Sequence, residues 1–143
     1  MQLKDIMTGK VEVVHPEAML RDAAQKMKGL NVGSLPVCDG QRLLGMLTDR
    51  DIVIRAIAEG YDPVQTKVRD SMTPELVYCF EDQDVAEAAH LMEEKQIRRL
   101  PVLNRDKRLV GIVSLGDLAV DTGDTSLAGE ALEEISTPAR PRR

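Results

Sequence analysis

The feature that most constrains this chain is that it is written twice. Asp5-Ile6-Met7-Thr8 returns as Asp70-Ser71-Met72-Thr73, Ala23-Ala24 with Met27 as Ala88-Ala89 with Met92, and Leu35-Pro36-Val37 as Leu100-Pro101-Val102. One extra residue in the Asn104-to-Arg108 turn lengthens the spacing, after which Leu43, Gly45 and Asp51 match Leu109, Gly111 and Asp117. Matches spread in order along the whole unit mark a duplicated supersecondary element. A unit this short buries too little apolar surface to be secure alone, so the two copies are expected to pack on each other across their sheets.

In the first copy the residues predict a strand over 11–14, stopped by His15-Pro16 because proline cannot continue a paired ladder. Leu20, Ala23, Ala24 and Met27 recur at i, i+3, i+4 and i+7, an amphipathic helix that Gly29 or Gly33 can stop. Strands over 35–38 and 43–47 flank the hairpin signal Asp39-Gly40. A helix from Asp51 to Gly60, a suitable C′ residue, is apolar round most of its circumference and is expected to be buried. The second copy repeats the order. A strand over 76–80 is followed by a helix carrying Val85, Ala88, Ala89 and Met92, with Asp84 at its cap and Glu87 at the capping-box position. A hairpin of 100–103 with 109–113 and a helix from Asp117 to Val120 complete it. The expected class is α/β (α+β), built from two β-α-β-β-α repeats at 1–60 and 61–122, with a loop over 61–67 between them. Residues 123–143 form a C-terminal tail. Leu127, Ala128, Ala131, Leu132 and Ile135 suit a short helix that needs a surface to dock on, and Ser136 to Arg143 reads as disordered.

Composition narrows the function. Apolar residues at 43% and charged residues at 30% are those of a soluble globular chain, and a net charge of −5 argues against nucleic acid as a partner. No apolar run reaches the roughly 20 residues of a membrane span, and the start lacks a signal-peptide pattern, so the expected location is cytoplasmic, without a membrane partner. With Phe80, Tyr61 and Tyr78 as the aromatic residues, a flat ligand would pack against aliphatic side chains. Cys38 and Cys79 offer neither a disulfide framework nor metal-ligand spacing. They read as two buried thiols, with a Cys38–Cys79 disulfide as the alternative.

The chemistry gathers at the duplicated corner, Gly45-Met46-Leu47-Thr48-Asp49-Arg50-Asp51 and Gly111-Ile112-Val113-Ser114-Leu115-Gly116-Asp117. In each, a short strand runs into a hydroxyl residue, with an aspartate three places on. Two roles are open to Thr48-x-x-Asp51 and Ser114-x-x-Asp117. They can close a helix end as capping boxes, or the hydroxyl and carboxylate can take a phosphate and a sugar diol. Arg50 can reach a phosphate or stand in solvent, and Gly116 takes its place in the second copy. His15 and His90 are isolated. There is no nucleophile–base pair, phosphate loop or Cys/His cluster, so no catalytic residue, metal site or catalytic cofactor is expected, and the chain does not read as an enzyme.

With these elements placed, the chain resembles a tandem pair of cystathionine β-synthase (CBS) domains from about Leu3 to Asp121, in particular the small stand-alone bacterial CBS-pair proteins of the hypoxic-response kind. The resemblance implies two repeats related by a pseudo-twofold axis, with two clefts between them, and a homodimer. It implies an adenosyl regulatory ligand (AMP, ADP, ATP or S-adenosylmethionine) and a sensing role read by a separate effector protein. By resemblance Thr48, Asp51, Ser114 and Asp117 hold ribose and phosphate, and Arg98 and Arg99 face phosphates, where the first copy has Gly33 and Ser34. The adenine of the Asp51 cleft would meet Thr73, Leu76, Val77, Ile97 and Pro101, and that of the Asp117 cleft Thr8, Val11, Val32 and Pro36. The alternative is a dimeric interaction module that binds no nucleotide.

Overall fold

The computed structural model describes residues 1–136. The chain forms two compact α+β units, Glu12–Leu76 and a second made of Met1–Val11 with the chain from Val77 on. The units are not the repeats: the opening segment of each repeat docks on the hairpin of the other.

In the first unit, α1 (Leu20–Leu30) buries Leu20, Ala23 and Met27. It stops at Asn31, whose φ of 55° is left-handed and whose N–H bonds back to Lys28 and Met27 carbonyls. The expected stops Gly29 and Gly33 are not used, because asparagine tolerates the left-handed cap. β1 (Ser34–Asp39) and β2 (Arg42–Thr48) pair antiparallel about a tight turn at Gly40, where φ is 61°.

The strand expected over 11–14 is reduced to one parallel bridge, Val14 to Val37. Val14 N–H donates to Pro36 O, and Cys38 N–H donates to Val14 O, both at 3.0 Å. Extending this ladder would need an N–H from residue 36 on one side and from residue 16 on the other. Both are prolines, so the ladder ends where it begins.

Beyond β2, α2 (Asp49–Asp51) continues directly as a π-helix, Ile52–Ile57. Ala58 N–H reaches Val53 O at 2.8 Å and Tyr61 N–H reaches Ala56 O at 3.0 Å, and Gly60 ends the turn at φ 80°. Ile52 and Ala56 are buried, but Val53, Ile54 and Ile57 are 54%, 48% and 51% exposed. The expectation that most of this helix is covered therefore fails: one flank packs on the unit's core and the other faces out.

In the second unit, β3 (Cys79–Phe80) runs parallel to β4 (Arg99–Leu103), which pairs antiparallel with β5 (Leu109–Ser114). The strand expected over 76–80 starts only at Cys79, because Pro101 has no N–H to offer residue 77. It runs past its counterpart because Glu81, standing where the first copy has Pro16, donates to Leu103 O at 2.9 Å. Between β3 and β4 lies α3 (Val85–Lys95), capped by Asp84, whose carboxylate accepts from Ala86 N–H at 2.9 Å. Glu87 forms no capping box and accepts from Gln83 Nε2 instead, at 2.9 Å. α4 (Leu115–Asp121) and α5 (Thr125–Ser136) follow. α5 packs on α3 and α4 with Ala128, Ala131 and Ile135 buried, so the tail helix finds its surface within its own unit. The rest of the tail, 137–143, expected to be disordered, lies outside the described residues.

The returning strand of each hairpin receives the docking segment. Thr73 and Met46 exchange two backbone hydrogen bonds of 2.8 and 3.0 Å, and Thr8 and Ile112 exchange two of 2.9 and 3.0 Å. The glycine beside each contact makes the approach possible. A Cβ on Gly45 would lie 2.4 Å from Thr73 O, and one on Gly111 would meet Met7 Sδ at 2.5 Å and Thr8 O at 3.0 Å. Gly45→Ala should cost about 1–3 kcal/mol in urea denaturation, since rigid backbone is in the way. Gly111→Ala should cost less, because the flexible Met7 side chain can give.

Candidate functional site

Both strand-to-helix corners are built alike. At Thr48 the extended backbone turns into α2, Thr48 Oγ1 accepts from Asp51 N–H at 3.0 Å, and Asp51 Oδ2 accepts from Thr48 N–H at 3.0 Å. At Ser114 the same pair of bonds to Asp117 measures 3.1 and 2.8 Å. The capping role is thus present in both copies. It uses one carboxylate oxygen, Oδ2, and leaves Oδ1.

What meets Oδ1 distinguishes the copies. Asp51 is 9% exposed, and its Oδ1 lies 3.4 Å from the Thr73 hydroxyl and 3.6 Å from Arg55 Nε. Arg55 also donates through Nη1 to Met72 O at 3.2 Å, tying the π-helix to the docking segment. Asp117 is half-buried, and its Oδ1 has no partner among the described residues. The position matching Arg55 is Asp121, and Thr8, the counterpart of Thr73, makes no side-chain hydrogen bond among the described residues. Arg55 was missed in the sequence reading. Its signal is the four-residue spacing from Asp51, the helical ion-pair distance. Arg50 is exposed, and its N–H donates to Asp49 Oδ1 at 2.8 Å.

Arg98 and Arg99 precede and open β4. Both are exposed, and neither guanidinium has a partner among the described residues. With Ser114 they line one hollow of about 600 Å³. The remaining expected contacts divide between the units. Thr48, Asp51, Thr73, Leu76, Val32 and Pro36 belong to the first, and Ser114, Asp117, Arg98, Arg99, Thr8, Val11, Val77, Ile97 and Pro101 to the second. Pro36 and Pro101 are buried in their strands, Val32 and Ile97 pack on the cores of their own units, and Leu76 is half exposed.

Among the described residues no three His, Cys, Asp or Glu side chains gather as a metal site, and no helix is long and apolar enough to cross a membrane. Cys38 and Cys79 are both free and 2% exposed, so the disulfide alternative does not hold. Burial pushes each thiol from 9.0 up to about 11, with the Glu87 carboxylate adding to the effect at Cys79.

Two duplicated corners on a repeated α+β unit define the class, and comparison with known proteins agrees: residues 3–57 and 68–120 each match the CBS domain. The chain belongs to the CBS-domain family. It is 46% identical to the CBS domain-containing protein YhcV of Bacillus subtilis, over 94% of each chain. It is 42% identical to hypoxic response protein 1 of Mycobacterium tuberculosis, over 81% of each. A crystal structure of Hypoxic Response Protein I with two coordinated zinc ions superposes with a TM-score of 0.77 at 41% identity, over 83% of this chain and 97% of that one. CBSX2 in complex with AMP superposes at 0.75 with 28% identity, over 87% and 98%. The CBS domain pair of MJ0100, in complex with 5′-methylthioadenosine and S-adenosylmethionine, does so at 0.75 with 27% identity, over 87% and 98%.

A thiol whose folded pKa is raised supports the native state below its unfolded value and loses that support as pH climbs through the folded one. The urea midpoint should therefore stay level to about pH 9 and fall toward pH 11. The double variant Cys38→Ala/Cys79→Ala should flatten that alkaline fall.

Proposed function

We propose that this chain is a regulatory module that binds an adenosyl ligand (AMP, ADP, ATP or S-adenosylmethionine) at its Thr/Ser-x-x-Asp corners, in the clefts the family resemblance implies. Its output is read by a separate effector protein. The observation that carries this reading is the Asp117 carboxylate, half-buried, with Oδ2 fixed by its own helix cap and Oδ1 left unpartnered. A carboxylate oxygen held in place and not yet used is what a ribose hydroxyl needs as an acceptor. Arg98 and Arg99, unpaired in the same unit, suit the phosphates, since a guanidinium fork takes phosphate oxygens two at a time. Structural relatives bound to AMP and to S-adenosylmethionine support the ligand class. The role is ligand sensing without catalysis, so no catalytic cofactor is proposed, and the cytoplasm is the proposed location.

In this reading the two corners are unequal. Asp117 is the stronger diol acceptor, because at Asp51 a ligand must displace or share Arg55 and Thr73. That occupied carboxylate favours the second reading for the first repeat, an interaction module without nucleotide. In both readings the chain is a homodimer, and the exposed Val53, Ile54 and Ile57 are the face a second copy would cover.

Thermal-shift titration tests the ligand reading. A ligand at 100 times its Kd adds about 2.7 kcal/mol, several degrees for a domain of this size. Asp117→Ala should remove most of the shift produced by AMP, and Asp51→Ala little of it. A flat response to every ligand of the series would leave the interaction module. In sedimentation, Ile54→Lys/Ile57→Lys should turn a dimer into a monomer with an unchanged circular dichroism spectrum.

A further inference from the structure

Arg98 and Arg99 are not alone in their hollow. Its wall opposite α4 is α5, an element the first repeat lacks, which contributes Ala128, Gly129 and Leu132. From α4 come Leu115 and Ala119. No carboxylate lines the space, so two unpaired cations sit beside an aliphatic surface. The matching hollow of the first repeat, about 470 Å³, has the opposite chemistry. Gly33 stands where Arg98 does and Asp49 where Leu115 does, and no helix closes it.

Gly129 is the telling residue. Glycine inside a helix costs stability relative to alanine, so it needs a reason. Gly129 is not among the residues with positive φ, and a Cβ built on it would meet nothing within 4 Å. Neither backbone conformation nor crowding within the chain requires it. What its smallness does is keep the hollow open.

We infer that the hollow between α4 and α5 is a second ligand site. It takes an amphiphilic anion whose phosphate or carboxylate head sits on Arg98 and Arg99 and whose aliphatic body lies over Gly129 against Leu115, Ala119 and Leu132. Guanidinium pairs bind either head bidentately, and burial of the body against these side chains supplies the preference for a chain over a bare ion. The site goes beyond the adenosyl reading and does not depend on it.

Isothermal titration with n-octyl phosphate, octanoate, inorganic phosphate and AMP, each below any micellar concentration, tests it on the full chain. Octyl phosphate should bind once per chain, at least about tenfold tighter than inorganic phosphate. Arg98→Ala/Arg99→Ala should abolish binding. Gly129→Leu should weaken it about tenfold or more while the melting temperature holds or rises, because leucine is the better helix former. Octanoate matching octyl phosphate would point to a carboxylate source, and octyl phosphate alone to a phosphate ester; both outcomes support the site. Octyl phosphate binding no tighter than phosphate, or an affinity unmoved in Gly129→Leu, would overturn it. AMP binding that Asp117→Ala removes, with octyl phosphate inert, would sink this site and leave the adenosyl reading intact. Octyl phosphate binding with AMP inert would do the reverse.

Discussion

The structure depends on a short backbone contact made twice. Thr73 pairs with Met46 over Gly45, and Thr8 pairs with Ile112 over Gly111. Each contact brings an opening segment onto the hairpin of the other repeat, and each lies a few residues before a strand-to-helix corner. The space a missing Cβ leaves is what lets the carbonyl of the docking threonine approach. In the first unit the same threonine then reaches the carboxylate of the corner, 3.4 Å away. Backbone docking and the placement of a polar side chain are thus one event, fixed by a glycine.

From this common frame the two copies have diverged in charge. The first corner is internally satisfied: hydroxyl, guanidinium and two backbone groups converge on Asp51. The second has lost the internal arginine to Asp121 and gained Arg98 and Arg99 beside an open hollow. A duplicated unit needs only a few substitutions to separate a corner that holds structure from one that can receive a ligand. Here Arg55 versus Asp121 and Gly33 versus Arg98 make most of the difference.

Much of this was legible in the sequence. The repeat, both hairpins, the helical stripes and the capping hydroxyls rest on periodicity and on residue types with strong local preferences. The failures share a cause, in that they concern what a neighbouring segment supplies. The strands at 11–14 and 76–80 look alike in composition, but their length is decided by prolines 36 and 101 in the strand alongside and by Pro16 against Glu81. Asn31 and Gln96, both left-handed, end the two long helices in place of glycine. The π-helical turn after Asp51, which leaves Val53 and Ile54 outside, has no composition of its own to announce it. At the site, the aspartates and arginines could be named from their positions, whereas the pairing of Arg55 with Asp51 is a matter of side-chain geometry.

The prolines that shorten these ladders have a further effect on the molecule in a crowded solution. An open strand edge invites a strand from another chain, which is the first step toward fibrils. On β1 the edge beyond Val14 carries Pro36 where a donor would stand, and the segment bridged to it carries Pro16. An incoming strand would find a gap in the hydrogen-bond row at each place. Growth by strand addition is thereby discouraged at this edge, and contacts between copies are left to the helices.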